Sequence, residues 1–192
     1  EIKRLIPFLI DNKDMIDEIV VLYDEKNGNE EVLNFLLPYN ILPNVQTWRG
    51  FDFNNDFGEW KNKLNSYCSG DYIFQLDADE MISKFLLKNI KTILRANENV
   101  DLFFLSRVNI VDGITEQDIN KWKWSLNDKG WINFPDPQGR LYKLNLKWFG
   151  NVHERVVGAS VVSSLPYEYD FSILHHKNIE KQRSQNSLYS TL

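Results

Sequence analysis

Asp77, Asp79 and Glu80 follow directly on the mostly apolar run Tyr72-Ile73-Phe74-Gln75-Leu76. Carboxylates crowded at one strand end repel one another, so keeping them together points to a compensating cation, and a hard divalent metal is the natural candidate. Asp77-Ala78-Asp79 is a D-x-D sequence. Two carboxylates one residue apart can grip magnesium or manganese while leaving coordination positions for diphosphate oxygens. A solvated acidic turn would carry the same residues, and the local sequence alone leaves both readings open. Asp24 ends a second apolar run, Glu18 to Tyr23, with a loop or helix-cap acid as its plain alternative.

Open α/β sheets place their ligands at the carboxyl ends of strands, so the elements around these acids decide what they can do. Ile2, Leu5, Ile6 and Leu9 recur at helical spacing, and a buried strand over Glu18 to Tyr23 follows. Glu25 to Asn29 is turn-rich, and a helix from Glu30 to Leu37 stops at Pro38. Asn44 to Trp48 reads as a short strand. Phe57 to Cys68 reads as a helix with Trp60, Leu64 and Tyr67 on one stripe, stopped by Ser69-Gly70. Ser83 can cap a helix whose apolar face is Phe85, Leu86, Ile90, Ile93 and Leu94, and Asp101 to Val111 is β-like. Alternating strands and helices predict an α/β domain with a largely parallel sheet.

Beyond Asp112 the helical periodicity fades into KWKWSLNDKGWINFPDPQG, which reads as a long functional loop or flap. Arg140 to Leu144 alternates like a strand. Shorter strands are expected over Ala159 to Val162 and Phe171 to His175, and a polar helix from Asn178 to Leu192.

The 192 residues fit one domain with a sizeable core, and a net charge of -5 gives no general basic surface for nucleic acid. Cys68 is the single cysteine, which excludes an internal disulfide and fits a reducing compartment. It reads as a buried filler. No run of about 18 apolar residues suggests a membrane-spanning helix. The expected location is the cytoplasm, including peripheral placement at a membrane. The chain opens without Met, which is expected of a fragment. Each of the six tryptophans is by default a core residue, although Trp and Tyr also floor sugar sites.

Several segments together resemble glycosyltransferase family 2 of the GT-A fold: Asp24, Phe57 with Lys61-Asn62, GDYIFQLDADE, PDPQGRLYK, KWFGNVHERVVG, and Ile173-Leu174-His175 before a basic helix. The resemblance implies a Rossmann-type mixed sheet flanked by helices, in one domain spanning 1–192. Residues 1–111 would form the nucleotide-sugar-binding half and 112–192 an irregular acceptor and catalytic half. It further implies an inverting, metal-dependent transfer of a sugar from a nucleotide-sugar donor to a hydroxyl of a saccharide, lipid-linked or protein acceptor. Asp24 would contact the nucleoside, with Asn62 and Asp77 lining the nucleotide pocket. Asp79 would be the direct metal ligand beside Asp77, and His175 would complete the Mn2+ or Mg2+ site, with His176 the competing position. Trp148-Phe149-Gly150 would form the glycine loop beneath donor and acceptor, and Glu154 would be the general base.

Other residues keep two readings. His153 is a hydrogen-bonded structural histidine or a phosphate or acceptor contact. Arg140 anchors the flap or meets phosphate. Trp122, Trp124 and Trp131 pack or hold the acceptor. The resemblance gives Glu80 no direct ligand role, and a cap for the following turn is an equal reading. Family members begin with a strand ahead of the first helix, and that strand is expected to be missing here. Two alternatives stand beside transfer: a GT-A-like domain that binds nucleotide sugar without turnover, and a haloacid-dehalogenase-type phosphatase with Asp77 as nucleophile and Asp79 as general acid.

Overall fold

A computed structural model describes residues 2–189. The elements run α1 (Ile2–Asp11), β1 (Ile19–Asp24), α2 (Glu30–Leu36), β2 (Val45–Phe51), α3 (Phe57–Asn65), β3 (Tyr72–Phe74), β4 (Glu80–Ile82), α4 (Lys84–Ala96), β5 (Leu102–Leu105) and β6 (Arg107–Asp112). They continue α5 (Glu116–Trp122), β7 (Gln138–Lys143), β8 (Lys147–Phe149), β9 (Arg155–Val157), β10 (Val162–Ser164), β11 (Ile173–Asn178) and α6 (Ile179–Tyr189). The residues of the expected last helix beyond Tyr189 lie outside the described ones. These elements form two compact units, one comprising the chain up to Phe74 with Tyr142–Ser160, the other Gln75–Leu141 with the chain from Val161 onward.

In the first unit β1 and β2 pair in parallel, Ile19 opposite Val45 and Leu22 opposite Trp48, with a register shift before Asp24 meets Phe51. The apolar stripe of α1 turns Leu5 and Ile6 inward. Ile6 packs with Tyr23 and Leu36 in a core that also takes Ile10, Val32 and Phe35. Such burial stabilises by about 25 cal/mol for each Å² of apolar surface removed from water. Asp56 caps α3, accepting from the Glu59 N–H at 2.8 Å. The antiparallel hairpin of β8 and β9 carries Trp148 opposite Val156.

The second unit is built around β11. It pairs antiparallel with β4, His175 opposite Glu80, and parallel with β6, His175 opposite Asn109. One register thus brings Glu80, His175 and Asn109 side by side. β10 runs parallel to β5, which in turn neighbours β7. Ser83 caps α4, its hydroxyl accepting from the Leu86 N–H at 2.9 Å, and Leu86, Leu87 and Ile90 are buried.

The elements differ from a reading of local sequence alone in four places. The pairings are mixed, with antiparallel β4–β11 and β8–β9, as the family resemblance implies and unlike the largely parallel sheet that the alternation of elements alone predicts. The expected strand through Leu76 ends at Phe74, so the acids lie in the connection to β4, with Glu80 inside that strand. The stretch Asp101 to Val111 is two strands broken at Ser106, whose buried hydroxyl is 2.7 Å from that of Ser172. Within the expected loop after Asp112 lies α5, held by a capping box: Thr115 accepts from the Asp118 N–H, and the Asp118 carboxylate accepts from the Thr115 N–H.

Candidate active site

In the second unit the acids are not a bare cluster, because cations and donors already surround each one. Asp77 is 2.7 Å from the Arg140 guanidinium, and Arg140 also reaches Glu80 at 3.2 Å. Arg140 and Glu80 are buried at 4% and 1% exposure. Arg107 lies 3.4 Å from the same Glu80 oxygen, and the other Glu80 oxygen accepts from the Asp77 N–H at 3.0 Å. Glu80 is therefore a buried anchor that fixes the Asp77 backbone, a larger role than capping a turn. Arg140 ties the Asp77 carboxylate to Glu80.

Asp79 faces a different set of groups. Its Oδ2 is 3.5 Å from His175 Nε2, 3.2 Å from Lys177 Nζ and 3.3 Å from Lys181 Nζ. Burial opposes the charged form of this carboxyl. The His175 hydrogen bond and the charges of Lys177, His175 and Lys181 together outweigh burial, holding it well below the usual carboxylate range. Of the His-His pair, His175 lies 3.5 Å from Asp79, while His176 is exposed and 2.7 Å from Asp112. Among the described residues no group of three or more His, Cys, Asp and Glu side chains is arranged to hold a metal ion. A divalent ion carried by diphosphate oxygens needs only one or two protein ligands. Asp79 and His175 are that number, but Lys177 and Lys181 already meet the Asp79 oxygen that faces His175.

In the first unit a second arrangement centres on Glu154. Its Oε1 is 2.6 Å from Lys61 Nζ, and Lys61 is buried under the Trp148 ring, 4.5 Å from the centroid. The Trp148 indole N–H donates to the Tyr142 hydroxyl at 2.7 Å, which donates to Asn65 at 3.0 Å. Asn62 uses both arms on the Trp148 backbone, donating to its carbonyl at 2.8 Å and accepting from its N–H at 2.9 Å. That leaves Asn62 as the clamp joining α3 to β8. The Phe57 and Gly58 N–H groups donate to the carbonyls of Asn151 and Gly150, each at 3.1 Å. A Cβ on Gly58 would fall 2.9 Å from the Gly150 oxygen, and Gly150 itself has φ +112°. Both glycines are needed for this close approach.

Asp24 ends β1 as expected. Its carboxylate accepts from the N–H groups of Lys26 and Asn27 at 3.1 Å each, from the Asn27 side chain at 2.9 Å and from the Phe53 N–H at 3.4 Å. Burial raises its pKa, but these hydrogen bonds outweigh that effect and lower it overall. His153 is exposed and left-handed, with φ 57°. Trp122 packs on Trp124 with centroids 4.6 Å apart, and Trp131 lies 4.9 Å from Phe134 and 6.0 Å from Tyr169. Half-buried Cys68 has its thiol pushed up to about 11, first by burial and then by the Glu18 charge. A thiol held protonated in this way is inert, as a filler should be.

Solved structures of residues 1–349 of S. aureus TarS share this architecture. The one in complex with UDP-GlcNAc aligns over 92% of this chain and 56% of its own, with a TM-score of 0.57 and 14% identity. The one in complex with UDP aligns over 93% and 57%, again with a TM-score of 0.57 and 14% identity. The chain shares the fold of these TarS structures. A third TarS structure aligns over 96% of this chain and 59% of its own at 13% identity, so the chain spans less than two thirds of the TarS length. No protein-family model matches the chain. Among the described residues no helix is long and apolar enough to cross a membrane.

The sequence left Lys61, Asn109, Lys177 and Lys181 without a functional role. Lys61 was visible next to Asn62, but its partner lies 93 positions away. Asn109 and the two lysines carry no motif, and only the β6–β11 pairing and the start of α6 bring them to Asp79 and His175.

Proposed function

We propose that this chain carries out inverting, metal-dependent transfer of a sugar from a nucleotide sugar to a hydroxyl acceptor. The observation that carries the reading is the pair Asp79 and His175, two metal-competent side chains just before β4 and on β11, in a fold shared with a protein solved with UDP-GlcNAc. In this reading Asp79 and His175 hold Mn2+ or Mg2+ together with the donor diphosphate. When bound, such an ion neutralises negative charge developing on the departing diphosphate.

The chain's own groups divide the remaining work. Lys177 and Lys181 add positive charge where the diphosphate would leave. Arg140 and Glu80 hold the Asp77 backbone so that the connection carrying Asp79 keeps its course. Glu154 takes the proton from the acceptor hydroxyl, with its carboxylate oriented by Lys61. Gly150 and the clamp from Asn62 fix the loop that carries Glu154. Asp24 shapes the turn after β1 that would meet the nucleoside. Trp122, Trp124 and Trp131 offer ring faces to an acceptor saccharide or peptide.

The test is a binding and transfer screen across nucleotide sugars, with Mn2+ or Mg2+ present and after chelation. Donor binding that weakens on chelation, with sugar delivered to a hydroxyl acceptor, is the expected result. Metal-dependent binding with neither transfer nor hydrolysis would replace the reading with a binding domain, and binding indifferent to chelation would remove the metal from it.

A further inference from the structure

The helix α3 turns an unusual stripe to the interior of its unit. Gly58, Lys61 and Asn65 are its buried residues, with half-buried Asn62 between them, so the inward positions i, i+3, i+4 and i+7 hold no large apolar side chain. Burying an ammonium and an amide costs stability unless each is answered by a partner, so the contacts of this stripe, rather than packing, explain it. Each member meets Tyr142 or the stretch from Trp148 to Glu154. The Gly58 N–H donates to the Gly150 carbonyl, Asn62 clamps the Trp148 backbone, and Asn65 accepts from the Tyr142 hydroxyl at 3.0 Å.

Tyr142 is fully buried and stands edge-on to Trp148, with centroids 5.7 Å apart and ring planes at 83°. Its hydroxyl proton goes to Asn65, while its oxygen accepts from the Trp148 indole N–H at 2.7 Å. The Trp148 ring is therefore fixed through its backbone by Asn62 and through its edge by Tyr142. Its face lies 4.5 Å from Lys61 Nζ, and an indole that donates a hydrogen bond at its edge presents a more electron-rich face to that cation. Lys61 Nζ is in turn 2.6 Å from Glu154 Oε1, whereas Oε2 has no hydrogen-bond partner among the described residues.

We propose that Tyr142, oriented by Asn65, is a positioning residue for transfer: it locks Trp148 as the wall that holds the Lys61 ammonium on Glu154 Oε1, leaving Oε2 as the oxygen that takes the acceptor proton. This role rests on the reading of Glu154 as base and adds to it residues that act through Lys61. A ring that tilts lets the ammonium drift across the carboxylate, and misplacing a reacting group by about 1 Å costs about 10²-fold in rate.

The test reads Lys61 before it reads transfer. In spectra of the full chain carrying isotope-labelled lysine, the ε-methylene resonance that disappears in Lys61→Met is expected well upfield of the exposed lysines, shifted by the Trp148 ring current. Tyr142→Phe keeps the buried ring and removes only the hydroxyl. It should move that resonance toward the exposed lysines, and Asn65→Leu should move it the same way. On the donor and acceptor identified by the nucleotide-sugar screen, Tyr142→Phe should lower kcat by about 10-fold, less than Lys61→Met, with donor KM unchanged. In a Lys61→Met background it should lower kcat no further, since its effect passes through Lys61. A wild-type resonance among the exposed lysines overturns the proposal without any variant. So does an unmoved resonance in both folded variants, a moved resonance with wild-type kcat, or a loss from Tyr142→Phe that multiplies fully with that from Lys61→Met. Failure of the base reading looks different: the resonance moves as expected, but Glu154→Gln transfers at the wild-type rate, and the proposal falls with the base.

Discussion

Glu154 and Lys61 form a pair whose parts should fail in distinguishable ways. Glu154→Gln removes the proposed base and is expected to lower transfer by about 10²–10⁴-fold while leaving donor affinity in place, measured as kcat against donor KM. Lys61→Met should also lower kcat, by less, because it leaves the carboxylate present without its orienting charge. Lys61→Arg should restore most of the rate, since a guanidinium can still meet Glu154. Transfer at the wild-type rate in Glu154→Gln would remove the base assignment. Glu80 offers a contrast, being buried among two arginines and an N–H donor with no route to a substrate. Glu80→Gln strips the charge from that set and should cost about 3 kcal/mol of stability, read from the urea midpoint, because it leaves buried guanidinium charge under-compensated.

At the scale of elements, α5 gives the clearest expectation. Its seven residues are too few to hold a helix by propensity, so the box between Thr115 and Asp118 and the Arg183 bonds to Asp118, at 2.8 and 3.1 Å, must do much of that work. Thr115→Ala should cost about 1 kcal/mol and show as faster amide exchange confined to Glu116–Trp122. The box was legible as Thr115-x-x-Asp118, but the neighbouring aromatics and turn residues masked it, and the stretch read as a loop. The helices α1, α2, α3 and α4 were legible because their apolar spacing and caps are local. The β8–β9 hairpin was not, since each strand has three residues and a single pairing partner. The site divides along the same line. Asp24, Asp77, Asp79, Glu154 and His175 could be named from motifs, whereas Lys61, Asn109, Lys177 and Lys181 act through contacts that only the tertiary pairing creates.

At the scale of the whole molecule, stability should depend on pH through carboxylates held charged in the folded state. The Asp79 pKa is depressed from its ordinary value of 3.8, since partners outweigh burial, and Asp118 is depressed to about 2 by Arg183 and Thr115. An unfolded chain binds protons at the ordinary value while the folded one refuses them. The stabilisation is thus fully present above 3.8 and is lost progressively as pH falls below it toward the folded value. The expected result is a urea midpoint that is flat in mildly acidic buffer and drops steeply below that value. Asp79→Asn separates the Asp79 share. It should be less stable than wild type near neutrality, because Lys177 is left buried beside an uncharged amide, and the two curves should converge as acid removes the advantage of the wild-type carboxylate. Parallel curves across the acid range would mean that Lys177 and Lys181 do not hold Asp79 charged. The proposed diphosphate end of the site would then lose the electrostatic frame on which the metal reading rests.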